Sequence, residues 1–174
     1  MRQTETHMLR GVIIGGALAV LLAGCRGVLS GETFTRDGVS YRVVVPDSKG
    51  WRRVDFEDND LAWMSTTSGH VISINSTCTG HEDPPLDILT NHLVIGFTDR
   101  ELISRTPFKL DGRDALRSVI HAKLDGVPTS LQLVVLKKNG CVHDFTYISP
   151  LGAEAAYQKD FEALVAGFKQ ERAK

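Results

Sequence analysis

Turn-forming dipeptides divide most of this chain into short segments. From Thr33 onward, Asp-Gly, Ser-Gly and Asn-Gly pairs occur at positions 37–38, 68–69, 111–112, 125–126 and 139–140. Such pairs between apolar runs are strong hairpin signals, because glycine and asparagine tolerate the positive φ of tight turns. We therefore expect a fold made mainly of antiparallel strands joined by short turns.

The segments between these turns predict strands at about 33–36, 39–45, 51–55, 60–67, 70–78, 101–109, 114–124, 129–138 and 141–149. The last three form a meander. In the middle strand of the meander, Leu131, Leu133 and Val135 point to one face while Val134 and Leu136 point to the other. Strands that are apolar on both faces are usually covered on both faces.

Two helices are available to cover the sheet. The first is predicted to begin at Asp83 as N-cap, with Pro84 in the first helical position. Its apolar stripe comprises Leu86, Leu89, Leu93 and Phe97. The second is predicted from about Ala153 to Gln170, with a stripe of Tyr157, Phe161, Leu164, Val165 and Phe168. The predicted fold is a single α+β domain over residues 33–174, an antiparallel sheet flanked by two helices.

The N-terminus predicts export. The uncharged run from Gly11 to Ala23 follows Arg10 and is too short to span a membrane, but it has the length of a signal-peptide core. It ends in Leu22-Ala-Gly-Cys25, which resembles the lipobox of bacterial lipoproteins. That resemblance implies a signal peptide at 1–24, lipidation of Cys25 and a tether over 25–32. The alternative is a buried N-terminal helix that ends at a core cysteine.

The same resemblance indicates a location. Arg26 replaces the aspartate associated with inner-membrane retention in enteric bacteria, which favours the periplasmic face of the outer membrane. Several acyl chains, such as palmitate, would make the anchor durable, since a single chain binds membranes only marginally. Met8 is an alternative start to Met1, because it leaves a shorter basic region before the apolar run.

Lipidation of Cys25 leaves two cysteines, Cys78 and Cys141. Outside the cytoplasm disulfides persist, so we expect these two to be bonded. The alternative is two separately buried thiols, which would apply if their Cα atoms lay more than about 7 Å apart.

The charge balance argues against a nucleic-acid partner. The chain has 20 basic and 21 acidic residues, a formal net charge of -1. Removal of residues 1–24 takes away Arg2, Arg10 and Glu5, leaving 18 basic and 20 acidic residues and a net charge of -2. Nucleic-acid binders usually carry a strongly basic face. With 42% hydrophobic residues, the chain is also unlike a disordered protein.

Several motifs together resemble the PsbP-like family. These are Tyr41-Arg-Val-Val-Val-Pro46, Trp51, Gly112-Arg-Asp-Ala115, Cys141-Val-His-Asp-Phe-Thr-Tyr147 and Ala166-Gly-Phe168. The resemblance covers about residues 33–170 and implies an α/β/α sandwich with an antiparallel sheet. It also implies an accessory or binding role, because the family shares no catalytic constellation.

The search for chemistry finds candidate ligands without a catalytic motif. The exported part has no G-x-S-x-G, H-E-x-x-H or C-x-x-C. Imidazoles and carboxylates that divalent metals accept occur at His70, His81, Glu82, Asp83, His121, His143 and Asp144. His81-Glu-Asp83 is the densest group, but its acids also suit a helix N-terminus. Because His143 and Asp144 are neighbours on one strand, they should face opposite sides.

We therefore expect no catalytic residue, metal site or cofactor. The leading hypothesis is a lipid-anchored envelope lipoprotein that acts as a binding or accessory module for an envelope protein partner. A metal-dependent periplasmic enzyme around His81 and a small-ligand carrier with a cavity between helix and sheet are the alternatives.

Overall fold

The computed structural model describes residues 27–171 apart from positions 37, 58, 68, 81 and 82. The expected signal peptide, the lipidation of Cys25, and His81 and Glu82 lie outside the described residues. The strands are β1 (Val28–Ser30), β2 (Thr33–Arg36), β3 (Val39–Arg42), β4 (Trp51–Val54), β5 (Leu61–Ser65), β6 (Val71–Thr77), β7 (Thr98–Leu110), β8 (Arg113–Leu124), β9 (Val127–Lys138), β10 (Cys141–Pro150) and β11 (Lys169–Gln170). The helices are α1 (Leu86–His92) and α2 (Gln158–Ala166), the latter preceded by a 3₁₀ turn at Glu154–Ala156.

The strands form two antiparallel sheets. The larger has the order β4-β5-β6-β10-β9-β8-β7, and the smaller β1-β2-β3-β11. Asp111, Asp125 and Asn139 have φ of 49°, 49° and 50°, and the glycine after each also has positive φ. Two successive residues with positive φ are what a type I′ hairpin turn requires. The meander of β8, β9 and β10 is therefore as predicted.

Strand β9 is covered on both faces, as its alternation predicts. Val134 and Leu136 lie in one apolar cluster with Phe161 and Leu164 of α2. Leu131 and Leu133 lie in a second cluster with Leu93 and Val94, which follow α1. The class of fold, mostly antiparallel strands with two helices, agrees with the sequence.

Helix α1 is shorter than predicted at both ends. It begins at Leu86, and the residue before it is Pro85, with φ -55° and ψ 155°. Proline disfavours helical geometry in the residue that precedes it, so Pro84 cannot start a helix ahead of Pro85. The prediction that Asp83 is the N-cap was wrong for that reason. The helix ends at His92, and a turn containing Gly96, with φ 94°, precedes Phe97.

Helix α2 is also shorter than the predicted span of 153–170. Its apolar stripe is buried as expected, at Phe161, Leu164, Val165 and Phe168. A Cβ on Gly167 would lie 2.5 Å from Cγ2 of Val44, so the absent side chain lets the end of α2 approach the segment that follows β3. Beyond that contact Lys169 pairs with Arg42, and the chain becomes strand β11 instead of helix.

Paired structure begins earlier than the sequence suggests. Val28–Ser30 pairs with Thr33–Thr35 through a turn at Gly31, whose φ is 58°. Leu29 packs against the core cluster that contains Phe34. The last residues of the expected tether are thus part of the small sheet.

Cys78 and Cys141 form a disulfide with a Cα–Cα separation of 4.0 Å, in agreement with the prediction. The bond follows from register, because the adjacent residues Thr77 and Val142 are paired between β6 and β10. The two tryptophans are core residues. Trp51 and Trp63 are each 3% exposed.

Candidate ligand pocket

A pocket of about 210 Å³ lies between α1 and the large sheet. Its floor comes from three neighbouring strands, β6, β10 and β9, and its wall from α1 and the residue that caps it. The lining residues are Asn75, Thr77, Leu89, His92, Leu93, Val135, Val142 and Asp144. Apolar walls around a few polar groups are typical of small-molecule sites.

The alternation of β10 places one carboxyl group in the floor of this pocket. His143 is fully buried in the core on the other face, so its neighbour Asp144 faces the pocket. In register, Asp144 lies between Asn75 of β6 and Val135 of β9. The prediction that His143 and Asp144 face opposite sides is confirmed.

Asp144 is a carboxyl group in poor surroundings for a charge. Burial, and to a smaller extent the nearby carboxylate of Asp60, raise its pKa to about 7. Within the described residues it makes no hydrogen bond or ion pair. It therefore passes between neutral and charged forms near neutral pH.

His92 lies at the rim of the pocket, in the last turn of α1. It is exposed. The nearest ion pair on this side joins Lys137 to Asp83, the residue expected to cap the helix. Asp83 contacts a lysine side chain instead.

On the opposite side of the large sheet, Asp60 is the centre of a buried polar network. Its carboxylate pairs with Arg36 at 2.8 Å and accepts hydrogen bonds from the Tyr41 hydroxyl at 3.1 Å and from Ser76 Oγ. Arg36 also donates to the Ser76 carbonyl at 2.6 Å. Burial raises the pKa of Asp60, although these bonds oppose it. The network joins the small sheet to β6.

His143 lies close to this network as an aromatic core residue. Its ring centroid is 4.9 Å from that of Phe168 and 5.9 Å from that of Tyr41. Burial lowers its pKa to about 4, so the ring is neutral at pH 7. A neutral, fully enclosed imidazole is a packing residue, which explains why it is no part of the pocket.

His70 is also a buried histidine, and its ring has a polar partner. Its Nδ1 lies 3.0 Å from the Tyr147 hydroxyl, which itself donates to the Glu154 carbonyl at 3.0 Å. The tyrosine proton is therefore used, and His70 donates from Nδ1. Burial lowers the pKa of His70, which favours the neutral ring with its proton on Nδ1.

The remaining metal-type residues are spread over the sheet. His121 is half-buried on β8, in register with Glu101 of β7. Across the part of the chain that the structure describes, no three His, Cys, Asp or Glu side chains come together in a group that could hold a metal ion. The expected group at 81–83 is described only at Asp83.

Sequence reasoning missed the pocket, although it named both Asp144 and a helix-to-sheet cavity. The available signal was Asp144 itself, an acid on an apolar strand on the face opposite His143. The position of Asp144 beneath α1 could not be predicted, because it depends on the pairing of β6 with β10. That pairing is set by the strand order and not by the local sequence.

Neither helix in the described residues is long and apolar enough to cross a membrane. No family model matches the chain, and no curated protein matches it by sequence.

Solved structures do resemble it. The cyanobacterial PsbP protein CyanoP from Synechocystis sp. PCC 6803 has a TM-score of 0.57 at 15% identity, over 91% of this chain and 99% of that one. LpqN of Mycobacterium tuberculosis, which is involved in cell envelope biogenesis, has a TM-score of 0.59 at 12% identity, over 75% and 82%. PA94 from Pseudomonas aeruginosa, of unknown function, has a TM-score of 0.52 at 13% identity, over 85% and 97%. These likenesses support a PsbP-like fold for this chain.

Proposed function

We propose that this protein is an envelope lipoprotein, anchored through Cys25 at the periplasmic face of the outer membrane. Its domain acts as a binding or accessory module for another envelope protein. The resemblance of Leu22-Ala-Gly-Cys25 to a lipobox supports the anchor. The likeness in fold to LpqN, a protein involved in cell envelope biogenesis, supports the accessory role.

The proposal of a protein partner is supported by an exposed apolar surface, here named the α1–β7 surface. It comprises Ile88, Ile95, Leu102 and Ile103, which are 40%, 73%, 51% and 47% exposed. Arg100 donates to the Val94 carbonyl at 3.2 Å, which brings the segment after α1 against β7. We propose that these exposed apolar side chains form one interaction site, since exposed apolar patches mark such sites.

The charge of the α1–β7 surface indicates what the partner presents. Arg100 and Arg105 donate to the Val94 carbonyl and the Asn91 side chain. Neither guanidinium forms an ion pair with a carboxylate in the described part of the chain. The partner is therefore a protein segment with apolar side chains beside carboxylates, since such a segment would supply the missing counter-charges.

The test is cross-linking in native membranes with the lipidated protein, followed by intact mass. We expect a lipid-modified Cys25 and one specific envelope protein, with capture reduced at least about tenfold by Leu102→Asp. Leu151→Asp is the matched control, because Leu151 is 47% exposed and follows β10, outside the α1–β7 surface. Equal capture by both variants would contradict the surface, and an unprocessed N-terminus would contradict the anchor.

A small-ligand carrier is the second candidate, and the pocket beneath α1 is the observation that favours it. This role would use Leu89, His92 and Leu93, which are not members of the α1–β7 surface.

A further inference from the structure

Asp144 is an acid without a counter-charge in the described chain. The basic side chain nearest in register is Lys137, whose paired residue Val142 also lines the pocket, but Lys137 is bound to Asp83. His92 is exposed at the rim. The β6 residues of the lining, Asn75 and Thr77, are neutral.

The apolar side chains of the pocket make the ionised form of Asp144 unfavourable. Leu89 and Leu93 form the wall, and Val135 and Val142 flank Asp144 on the floor. An ionised carboxylate among apolar side chains is unfavourable unless a cation or a hydrogen-bond donor reaches it. In the described chain, no cation or hydrogen-bond donor contacts this carboxylate. A ligand that enters the pocket can supply both the cation and the donor.

The volume limits that ligand. A cavity of about 150 Å³ holds benzene, whereas drug-sized ligands fill about 300 Å³ or more. At about 210 Å³, this pocket suits a single ring or a short alkyl chain with one polar group.

We propose that this pocket binds a small organic amine, with its ammonium group at the Asp144 carboxylate and its apolar body between the leucines of the wall and the valines of the floor. Asn75 and Thr77 provide neutral hydrogen-bonding groups beside the ammonium. The inference deepens the carrier function and is independent of the protein partner at the α1–β7 surface.

The proposal implies a pH dependence. The ammonium requires Asp144 to be ionised, and the pKa of Asp144 in the empty pocket is about 7. The other charged groups near it are His92 of α1, the Asp83–Lys137 pair and Asp60. Affinity should therefore rise as pH increases through about 7, while the amine remains protonated.

The experiment is calorimetric titration of the complete lipidated protein in detergent with 2-phenylethylamine at pH 8. The neutral analogue 2-phenylethanol, with the same ring and chain, is titrated in parallel. We expect the amine to bind at least about tenfold more tightly than the alcohol. Asp144→Asn should lose that preference, while Asp114→Asn keeps it, since Asp114 is an exposed acid paired with Lys109.

A second variant tests the cavity without altering the acid. Leu89→Phe should fill the pocket and weaken amine binding at least about fivefold. Equal affinity for amine and alcohol, or unchanged binding in Asp144→Asn, would overturn recognition of the charge. Absence of binding by millimolar amine would overturn the site itself. The cross-linking test of the protein partner does not depend on amine binding. Failure of this inference is therefore distinguishable from failure of the accessory function.

Discussion

At the scale of single residues, His143 and Asp144 are sequence neighbours whose pKa values are shifted in opposite directions. The pKa of His143 is lowered to about 4 by burial, and that of Asp144 is raised to about 7, also by burial first. Burial favours the neutral form of both groups, which lie on opposite faces of β10. Their effects on stability therefore have opposite signs over nearly the same range of pH.

Asp144→Asn should remove a loss of stability that occurs as pH rises. Between its unfolded pKa of 3.8 and about 7, the folded protein retains a proton that the unfolded chain releases. The free energy of unfolding therefore falls as pH rises through this range, by at most about 4 kcal/mol for the full shift. Urea unfolding between pH 4 and 8 measures it. A variant with the wild-type slope would contradict the buried acid.

His143→Phe should have the reverse effect. Between 6.5 and about 4 the unfolded chain binds a proton that the folded protein does not, so stability falls as pH falls. The contribution is at most about 3 kcal/mol. Because the two effects oppose each other, the wild-type profile should be flatter than that of either variant. Steeper dependence in the wild type than in both variants would refute this pairing.

At the scale of elements, alternation and turns in the strands were readable from the sequence, but the helix ends were not. Val134 and Leu136 could be assigned to one face, since strand periodicity depends only on neighbours. The start of α1 depended on Pro85, and the end of α2 on the close approach of Gly167 to Val44. The pocket required the tertiary placement of α1, which local pattern does not contain.

The Asp111 side chain links β11 to the turn between β7 and β8. Its carboxylate accepts from the backbone N–H of Gln170 at 2.9 Å and pairs with Lys138. Although burial opposes the shift, these bonds lower the pKa of Asp111. Its contribution to stability is therefore present above the unfolded pKa and lost as pH falls.

Asp111→Asn should lower the free energy of unfolding by about 2 kcal/mol at pH 7, a usual value for a hydrogen bond to a charged group. Asp114→Asn is the control, because both members of the Asp114–Lys109 pair are exposed. Exposed pairs contribute little. Denaturant unfolding measures both variants. A loss from Asp111→Asn no larger than that from the control would show that β11 is held by its apolar neighbours alone.

The disulfide joins β6 to β10 across 63 residues of sequence. Constraint of an unfolded chain by a loop of that length corresponds to about 4 kcal/mol. Reductant should therefore lower the urea midpoint of the wild type. The double variant Cys78→Ala/Cys141→Ala should start at the lower midpoint and show no response to reductant. A response in the double variant would show that the reductant acts elsewhere.

At the scale of the whole molecule, the resemblance to a PsbP-like fold was visible in scattered motifs, and the solved structures support it. The proposed anchor depends on lipidation of Cys25. Cys25→Ser should move the protein from the membrane to the soluble fraction, which fractionation and blotting would show. Retention in the membrane fraction would mean that the domain or its partner, and not the lipid, holds the protein there.

The place of β10 between β6 and β9 sets an order of assembly. The middle of the large sheet closes only when β10 reaches β6, and pairings between such distant segments are slow to form. A chain that emerges N-terminus first cannot complete this pairing until β10 has emerged. With the export that we propose, the sheet would close in the same compartment that oxidises Cys78 and Cys141.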